Sequence, residues 1–211
     1  MSEVQKATEI EQTLDGIGDR LREERTKAGM SQRELARRLG LSPSMISQIE
    51  SGLSKPSVGT LYAIVTELDL SLDRMIRGDT FEGTPYSAPD RDTSPLVHPG
   101  ERQAIDLASG VRWEELTSHT EEDVDFLEAI YEVGGASTPD ESLMRHHGRE
   151  YGYVMTGTLG VQIGFQEYTL DPGDSIAFDS TRPHRLFNKG DIPVHAIWFV
   201  VGRESDDRVH G

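Results

Sequence analysis

A change of hydrophobic pattern between residues 78 and 95 divides this chain into two unlike parts. Before it, apolar residues recur every three or four positions in short blocks, which is typical of amphipathic helices. The intervening stretch, GDTFEGTPYSAPDRDTSP, contains three prolines, two glycines and no hydrophobic period, which indicates a linker. After it, short runs alternate apolar and polar residues between Gly, Pro, Asp or Asn, as β-strands do. We therefore expect an α+β chain with two domains.

The domain boundaries follow from the same pattern. We predict an all-helical domain at residues 17–78, a linker at 79–94 and an all-β domain of many short strands at 95–203. The polar, acidic ends, residues 1–16 and 204–211, are predicted to be disordered.

The chain contains no cysteine, which excludes disulfides and thiolate metal sites. Any metal site must therefore use His, Asp or Glu. The N-terminus lacks the apolar core of a signal peptide, and no apolar run approaches the ~18 residues of a membrane span. We expect a cytoplasmic protein with no membrane association.

Charge is distributed unevenly along the chain. The formal net charge is −16, yet residues 17–78 carry ten Lys and Arg against eight Asp and Glu. Residues 79–211 carry ten basic and twenty-five acidic residues. Such asymmetry suggests two domains with different partners, and it leaves the helical part able to approach a polyanion.

The helical part is predicted to contain five short helices. Ser31 followed by Glu34 forms a capping box at the start of one of them, and Gly40 ends it. Ser42 caps the next, with Pro43 at the favoured first position. Two short helices joined by a turn containing glycine are typical of a helix-turn-helix unit.

The second helix of this unit presents a polar outer face. Short polar side chains there can reach base edges in a major groove, and Gln suits adenine: Ser44, Ser47 and Gln48. Three flanking residues could bind phosphates: Gln32, Arg33 and Lys55. The helical pattern alone is also compatible with a small helix bundle whose polar face is only solvated.

Taken together, residues 17–78 favour DNA binding over a helix bundle whose polar face is only solvated. Residues 17–78 resemble the Xre family of lambda-repressor-like domains, from IGDRLREER through SQRELARRLGLS and ISQIESGLSKPSVGTL to LDRMI. The resemblance implies a five-helix domain whose third helix enters the major groove. It also implies a homodimer on a palindromic operator of double-stranded DNA.

In the β part, two histidines and a glutamate lie close together in MRHHGREYGYVMTG. Met144, His146 and Glu150 share parity, so on a strand they point into one interior, whereas His147 is expected to face outward. His184 follows a later Pro-Gly-Asp turn. Two histidines and one carboxylate are typical ligands of a divalent metal.

Residues 95–202 resemble the cupin family, an all-β jelly roll. The matching positions are His146, Glu150 and Gly157 in its first motif, and Pro172, Gly173, His184 and Asn188 in its second. Met144 occupies the place of the first motif histidine, so the ligand set that the resemblance implies is reduced to His146, Glu150 and His184. Further pocket candidates are Met144, Tyr153, Phe178 and Trp198, although aromatic residues at strand spacing more often serve packing.

Three interpretations of this triad stay open. It could hold a single Zn, Fe or Ni ion for catalysis, hold the same ion to help recognise an effector, or form a metal-free polar cluster. Hydroxypropylphosphonic acid epoxidase, a non-heme enzyme, has a similar order of helix-turn-helix and cupin parts. The chain lacks a GxSxG motif, a P-loop and a dinucleotide fingerprint. We therefore favour a transcriptional regulator whose cupin domain senses a small molecule, with no catalytic residues. The alternative is an epoxidase-like or oxygenase-like metal cupin.

Overall fold

The computed structural model describes residues 16–70, 72–77, 94–118 and 124–202. The predicted linker and both predicted tails lie outside these residues, apart from Gly16 and Ser94.

The N-terminal part is helical. The described residues include the helices Gln32–Leu39, Pro43–Glu50, Val58–Glu67 and Leu72–Arg77, and residues 16–27 are helical as well. The first three of these four helices begin at predicted serine caps, each of which accepts a hydrogen bond from the backbone N–H three residues later: Ser31, Ser42 and Ser57. Within the described residues, no helix is long and apolar enough to cross a bilayer.

The turn between the first two helices depends on Gly40. Its φ of 68° lies in the left-handed region, which glycine adopts without strain. The N–H of Leu41 then donates to the Ala36 carbonyl at 2.8 Å, which closes the helix end. Leu35, Ala36 and Ile46 are fully buried where the two helices meet.

The C-terminal part is a two-sheet β structure of the cupin type. All its strand pairs are antiparallel. One sheet has six strands in the order β1-β2-β3-β9-β4-β7, and the other has three in the order β6-β5-β8. The strands are β1 Ala104–Leu107, β2 Val111–Glu115, β3 Val124–Tyr131, β4 Arg149–Thr156, β5 Leu159–Ile163, β6 Gln166–Leu170, β7 Ser175–Asp179, β8 His184–Asn188 and β9 Val194–Val201.

Burial alternates along most strands of the larger sheet, so one face packs inward and the other faces out. Inward side chains such as Trp113, Leu127 and Val154 are buried in the β core.

The two parts touch each other. Just before and within the Val58–Glu67 helix, the Pro56 carbonyl accepts from Ala108 N–H at 2.9 Å, and Gly59 N–H donates to the Ser137 carbonyl at 3.2 Å. The helical core and the β core form one continuous cluster of buried side chains.

Candidate functional site

The predicted base-reading face lies in solvent. The Pro43–Glu50 helix turns Ile46 and Ile49 inward, with 0% and 3% of their surface exposed. All three predicted reading residues are classed as exposed: Ser44, Ser47 and Gln48. Because the apolar side anchors the helix, its polar side is held at a fixed orientation for contact with a partner.

A buried carboxylate fixes the end of this helix. Glu50 is 2% exposed, and it accepts hydrogen bonds from Arg25 Nη2 at 3.0 Å and Gln32 Nε2 at 2.7 Å. Burial alone would raise the pKa of Glu50, but these hydrogen bonds and the Arg25 charge lower it below its ordinary value. The sequence did not point to Glu50, because a glutamate at a helix end usually faces solvent.

The three predicted phosphate-binding residues occupy different settings. Arg33 is exposed on the Gln32–Leu39 helix, which precedes the reading helix. Gln32 uses its amide to bind Glu50, as described above. The Lys55 ammonium lies 3.7 Å from the Asp106 carboxylate in β1, so it is partly engaged with the β part.

The three predicted metal ligands converge inside the β structure. Glu150 Oε1 lies 3.0 Å from His146 Nε2 and 3.0 Å from His184 Nε2. No more than 3% of any of the three side chains is exposed. Glu150 projects inward from β4, and His184 from the start of β8.

His146 reaches the interior by a different route from the predicted one. The parity argument assumed a strand from Met144 onward, but β4 begins only at Arg149. Met144 forms an isolated bridge with His184, and His146 N–H donates to the Ser180 carbonyl at 3.1 Å. His146 is buried and His147 exposed, so the expected orientations hold although the reason for them was wrong.

The other ring nitrogens fix the imidazole tautomers. His146 Nδ1 lies 2.9 Å from the His147 carbonyl, and His184 Nδ1 lies 2.8 Å from the Arg182 carbonyl. A carbonyl only accepts, so each Nδ1 carries a hydrogen. In a neutral ring the Nε2 atom then presents a lone pair. Two lone pairs and a carboxylate oxygen thus face one another, and a cation among them removes their repulsion.

The pKa shifts of Glu150 and His184 also indicate that a positive charge is favoured within the triad. Burial would raise the pKa of Glu150, but the imidazoles of His146 and His184, when protonated at Nε2, hold it far below its usual range. Burial would lower the pKa of His184, but the Glu150 carboxylate raises it above its ordinary value. Either an imidazole proton or a metal ion can therefore supply the positive charge.

The donor set and spacing fit a single divalent ion. Metal–ligand bonds of about 2.1 Å place adjacent ligand atoms of one ion about 3 Å apart, as Glu150 Oε1 and each Nε2 are here. Backbone carbonyls that hold the Nδ1–H groups are typical second partners of metal-binding histidines. His146, Glu150 and His184 thus form a candidate site for one Zn, Fe or Ni ion.

Two predicted pocket residues line this site. Trp198 Nε1–H donates to Glu150 Oε2 at 2.8 Å, and the Phe178 ring meets His184 edge-on with centroids 5.1 Å apart. Met144 is half-buried at the bridge to His184. Tyr153 was wrongly placed in the pocket. It is 48% exposed on the outer face, because its parity on β4 is opposite to that of Glu150.

The structure adds Tyr62, which sequence reasoning missed. Its ring stacks on the His146 imidazole, with centroids 4.0 Å apart and planes at 15°. Tyr62 belongs to the Val58–Glu67 helix, where its spacing indicates only core packing within the helical part. Nothing in the linear pattern shows that this helix also faces the β part.

Comparison with known proteins matches both parts. Residues 21–75 match the helix-turn-helix family, and residues 127–200 match the cupin domain family. A crystal structure of an HTH_3 family transcriptional regulator from Vibrio cholerae shares the fold. It has a TM-score of 0.64 and 22% identity, covering 92% of this chain and 98% of that one.

Two regulators of Escherichia coli K12 are similar over most of their length. The HTH-type transcriptional regulator PuuR is 30% identical over 172 residues, which are 81% of this chain and 86% of PuuR. The HTH-type transcriptional regulator SutR is 28% identical over 176 residues, 83% of this chain and 88% of SutR. Both relatives are transcriptional regulators, which supports the regulator interpretation over the epoxidase-like one. The chain belongs to the family of HTH-type transcriptional regulators in which a helix-turn-helix domain precedes a cupin domain.

Proposed function

We propose that this regulator binds a palindromic operator as a homodimer and that its cupin domain binds a small-molecule effector. The observation that carries the proposal is the solvent-facing polar surface at Ser44, Ser47 and Gln48, on a helix whose opposite side is fully buried. We further propose that residues 16–27 are the first of five helices of a lambda-repressor-like domain at 17–78, and that the cupin domain spans 95–203. Because operator DNA is its target, we place the protein in the cytoplasm.

Base reading and phosphate binding are assigned to different side chains. Ser44, Ser47 and Gln48 would contact base edges. Arg33, exposed on the preceding helix, would bind a phosphate. Gln32 supports the reading helix through Glu50, and the second hydrogen of its amide nitrogen remains available for a phosphate. We keep Lys55 as a third phosphate contact, in competition with its Asp106 pairing.

Support for a dimer comes from the outer face of the six-stranded sheet. Phe126, Phe199 and Tyr151 are neighbours in register across β3, β9 and β4, with the two phenylalanine rings stacked at 4.3 Å. Tyr151 and Tyr153 are 43% and 48% exposed. A partly exposed aromatic row of this kind is typical of a protein interface. A second copy of this chain would cover it and bring two reading helices onto one operator.

The enclosed triad is the proposed effector site. It offers a carboxylate and two imidazoles, directly or through a bound divalent ion, between the apolar walls of Phe178 and Trp198. A small polar or anionic molecule could bind through the ion, as substrates do at two-histidine-one-carboxylate centres. In this chain that binding serves recognition, with no catalytic residue assigned.

The test of DNA recognition is selection of genomic fragments by the purified full-length protein. We expect one enriched palindrome whose half-sites lie about one helical turn, about 34 Å, apart. The matched comparison is the Gln48→Ala variant, which should enrich the same spacing with a relaxed base at one position of each half-site. Recovery of no palindrome by the wild-type protein would overturn the proposal.

A further inference from the structure

The helix-turn-helix part closes the cupin site from outside the cupin domain. Tyr62 is 4% exposed, and its ring lies flat on His146 while meeting Trp113 edge-on at 5.6 Å. His146 therefore has a wall that belongs to the DNA-reading part. That wall lies on the helix that follows the reading helix by only seven residues.

Close packing holds this wall in place. A Cβ on Gly59 would lie 3.2 Å from Thr138 Cγ2 and 3.4 Å from Met144 Cβ, so the backbone of the Val58–Glu67 helix sits against the segment that leads to His146. Gly59 N–H donates to the Ser137 carbonyl, and Lys55 lies 3.7 Å from Asp106. The contact thus extends from the start of the helix to Tyr62, and we call it the docking contact.

The residues around the triad differ in the number of hydrogen bonds that hold their elements in place. Phe178 and Trp198 lie on β7 and β9, which hydrogen-bond to β4 along most of their length. The docking contact joins a helix to the β structure, so no strand ladder runs along it; backbone hydrogen bonds cross it at Pro56 and at Gly59. Elements held by few hydrogen bonds open at lower free energy than sheet strands do. The Val58–Glu67 helix, which carries Tyr62, is therefore the wall that moves away first when the site opens.

The enclosed state leaves no room for a visiting molecule. Side chains of the triad are at most 3% exposed, and Glu150 Oε1 already lies 3.0 Å from each Nε2, the spacing of adjacent ligands of one ion. A bare metal ion fits between them. An organic molecule must displace a wall.

We propose that Tyr62 is the lid of the cupin site and that an organic ligand reaches His146, Glu150 and His184 only when the docking contact opens. Docking of the DNA-reading part and occupancy by an organic ligand then exclude each other. The regulatory meaning of the lid rests on the proposed function. An effector that binds only the open state shifts the protein toward that state and releases the reading helices from their fixed position.

A cysteine pair can lock the docking contact. The chain has no cysteine of its own, so Gly59→Cys with Thr138→Cys introduces the only two thiols. The 3.2 Å approach of a Gly59 Cβ to Thr138 Cγ2 brings the two sulfurs within bonding reach. Diamide forms the disulfide, and a phosphine reductant opens it in the same protein.

The probe is diethyl pyrocarbonate, a small organic electrophile that modifies imidazoles, with labelling of each histidine followed by mass spectrometry. Labelling of His146 and His184 should be at least tenfold slower in the oxidised pair than in the reduced pair. His195, on the outer sheet face, should label equally in both and reports that the fold is intact. Equal rates at His146 in the two states, including no labelling in either, would overturn the proposal.

Tyr62→Ala provides a second measurement without cysteines. Removing the lid should raise the labelling rate of His146 at least tenfold over wild type, while Tyr168→Ala, which trims an exposed tyrosine on β6 of the smaller sheet, should leave it unchanged. No increase in Tyr62→Ala contradicts the lid role. These labelling measurements need no DNA. If the labelling rates change as expected but the protein binds no operator, the proposed function is refuted and the lid proposal stands.

Discussion

Trp198 lies directly across from Gly152 in the β4–β9 pairing, and its indole occupies the space that a side chain at Gly152 would fill. A Cβ there would stand 2.0 Å from the ring carbon Cζ3. From this position the indole N–H donates to Glu150 Oε2, while Glu150 Oε1 faces the imidazoles. A glycine in the middle of a strand thus allows the carboxylate at the centre of the site to be held from two directions.

Gly152→Ala should therefore damage the site and the fold together. The added methyl group displaces the indole, which costs about 1–3 kcal/mol of unfolding free energy, as overpacking does. Gly100→Ala is the control, because a Cβ at Gly100 meets nothing within 4 Å, and it should change stability by less than about 0.5 kcal/mol. Urea unfolding followed by tryptophan fluorescence measures both. Equal stability of the two variants would contradict the packing argument.

Metal content should separate the ligands from their neighbours. His146→Ala removes one ligand and should lower the affinity for Zn²⁺ or Ni²⁺ at least tenfold, whereas His147→Ala, an exposed imidazole one residue away, should not. Met144→His places a third imidazole, and thus a fourth ligand, beside His184 and should tighten binding. Mass spectrometry of metal in all variants after identical purification is the measurement. The same low content in wild type and every variant would leave the triad as a polar cluster.

Most of the fold and part of the site could be predicted from sequence. Serine caps and the Gly40 turn are local signals, and the structure bears them out, whereas the strand-parity argument for His146 failed because β4 begins only at Arg149. The triad was found because two short motifs carry it. Tyr62 acquires its role from a contact between distant segments, which no local period records. Trp198 was a pocket candidate, but its hydrogen bond to Glu150 also depends on such a contact. Tyr153 was misplaced for a local reason: its parity relative to Glu150 was available in the sequence and was not applied.

Glu50 should make stability depend on pH. Its folded pKa lies below its ordinary value, so it stabilises the protein above that ordinary value and loses this contribution as pH falls toward the folded pKa. Glu50→Gln should cost about 2 kcal/mol at pH 7, the scale of a hydrogen bond to a charged group, and the difference from wild type should shrink below about pH 4.5. Glu167→Gln, an exposed carboxylate on β6, should cost much less at pH 7. Urea unfolding by circular dichroism between pH 4 and 7 tests this, and a gap that widens at low pH would contradict it.

The aromatic row on the outer sheet face should hold the dimer together. Tyr151→Glu places a charge in the middle of that row, beside Phe199, and its desolvation on association should shift the protein to monomers. Tyr168→Glu makes the same change at a tyrosine of similar exposure on β6 of the smaller sheet, and it should leave the assembly unchanged. Light scattering at tens of micromolar reports the outcome. A wild-type protein that is monomeric under these conditions would refute the dimer.

DNA titrations at several salt concentrations should distinguish a residue that reads a base from one that binds a phosphate. Arg33→Ala removes one phosphate contact, so it should weaken binding to every sequence and reduce the slope of log affinity against log salt by about one unit. Gln48→Ala should keep the slope and lose about 1–3 kcal/mol of discrimination at one base pair of each half-site. The contrast between the two variants is the control, because both lie on the exposed surface of the same two-helix unit and neither contributes to its core. If Gln48→Ala lowers the affinity for specific and random DNA by the same factor, Gln48 does not read a base, and recognition must reside in Ser44, Ser47 or the shape of the groove.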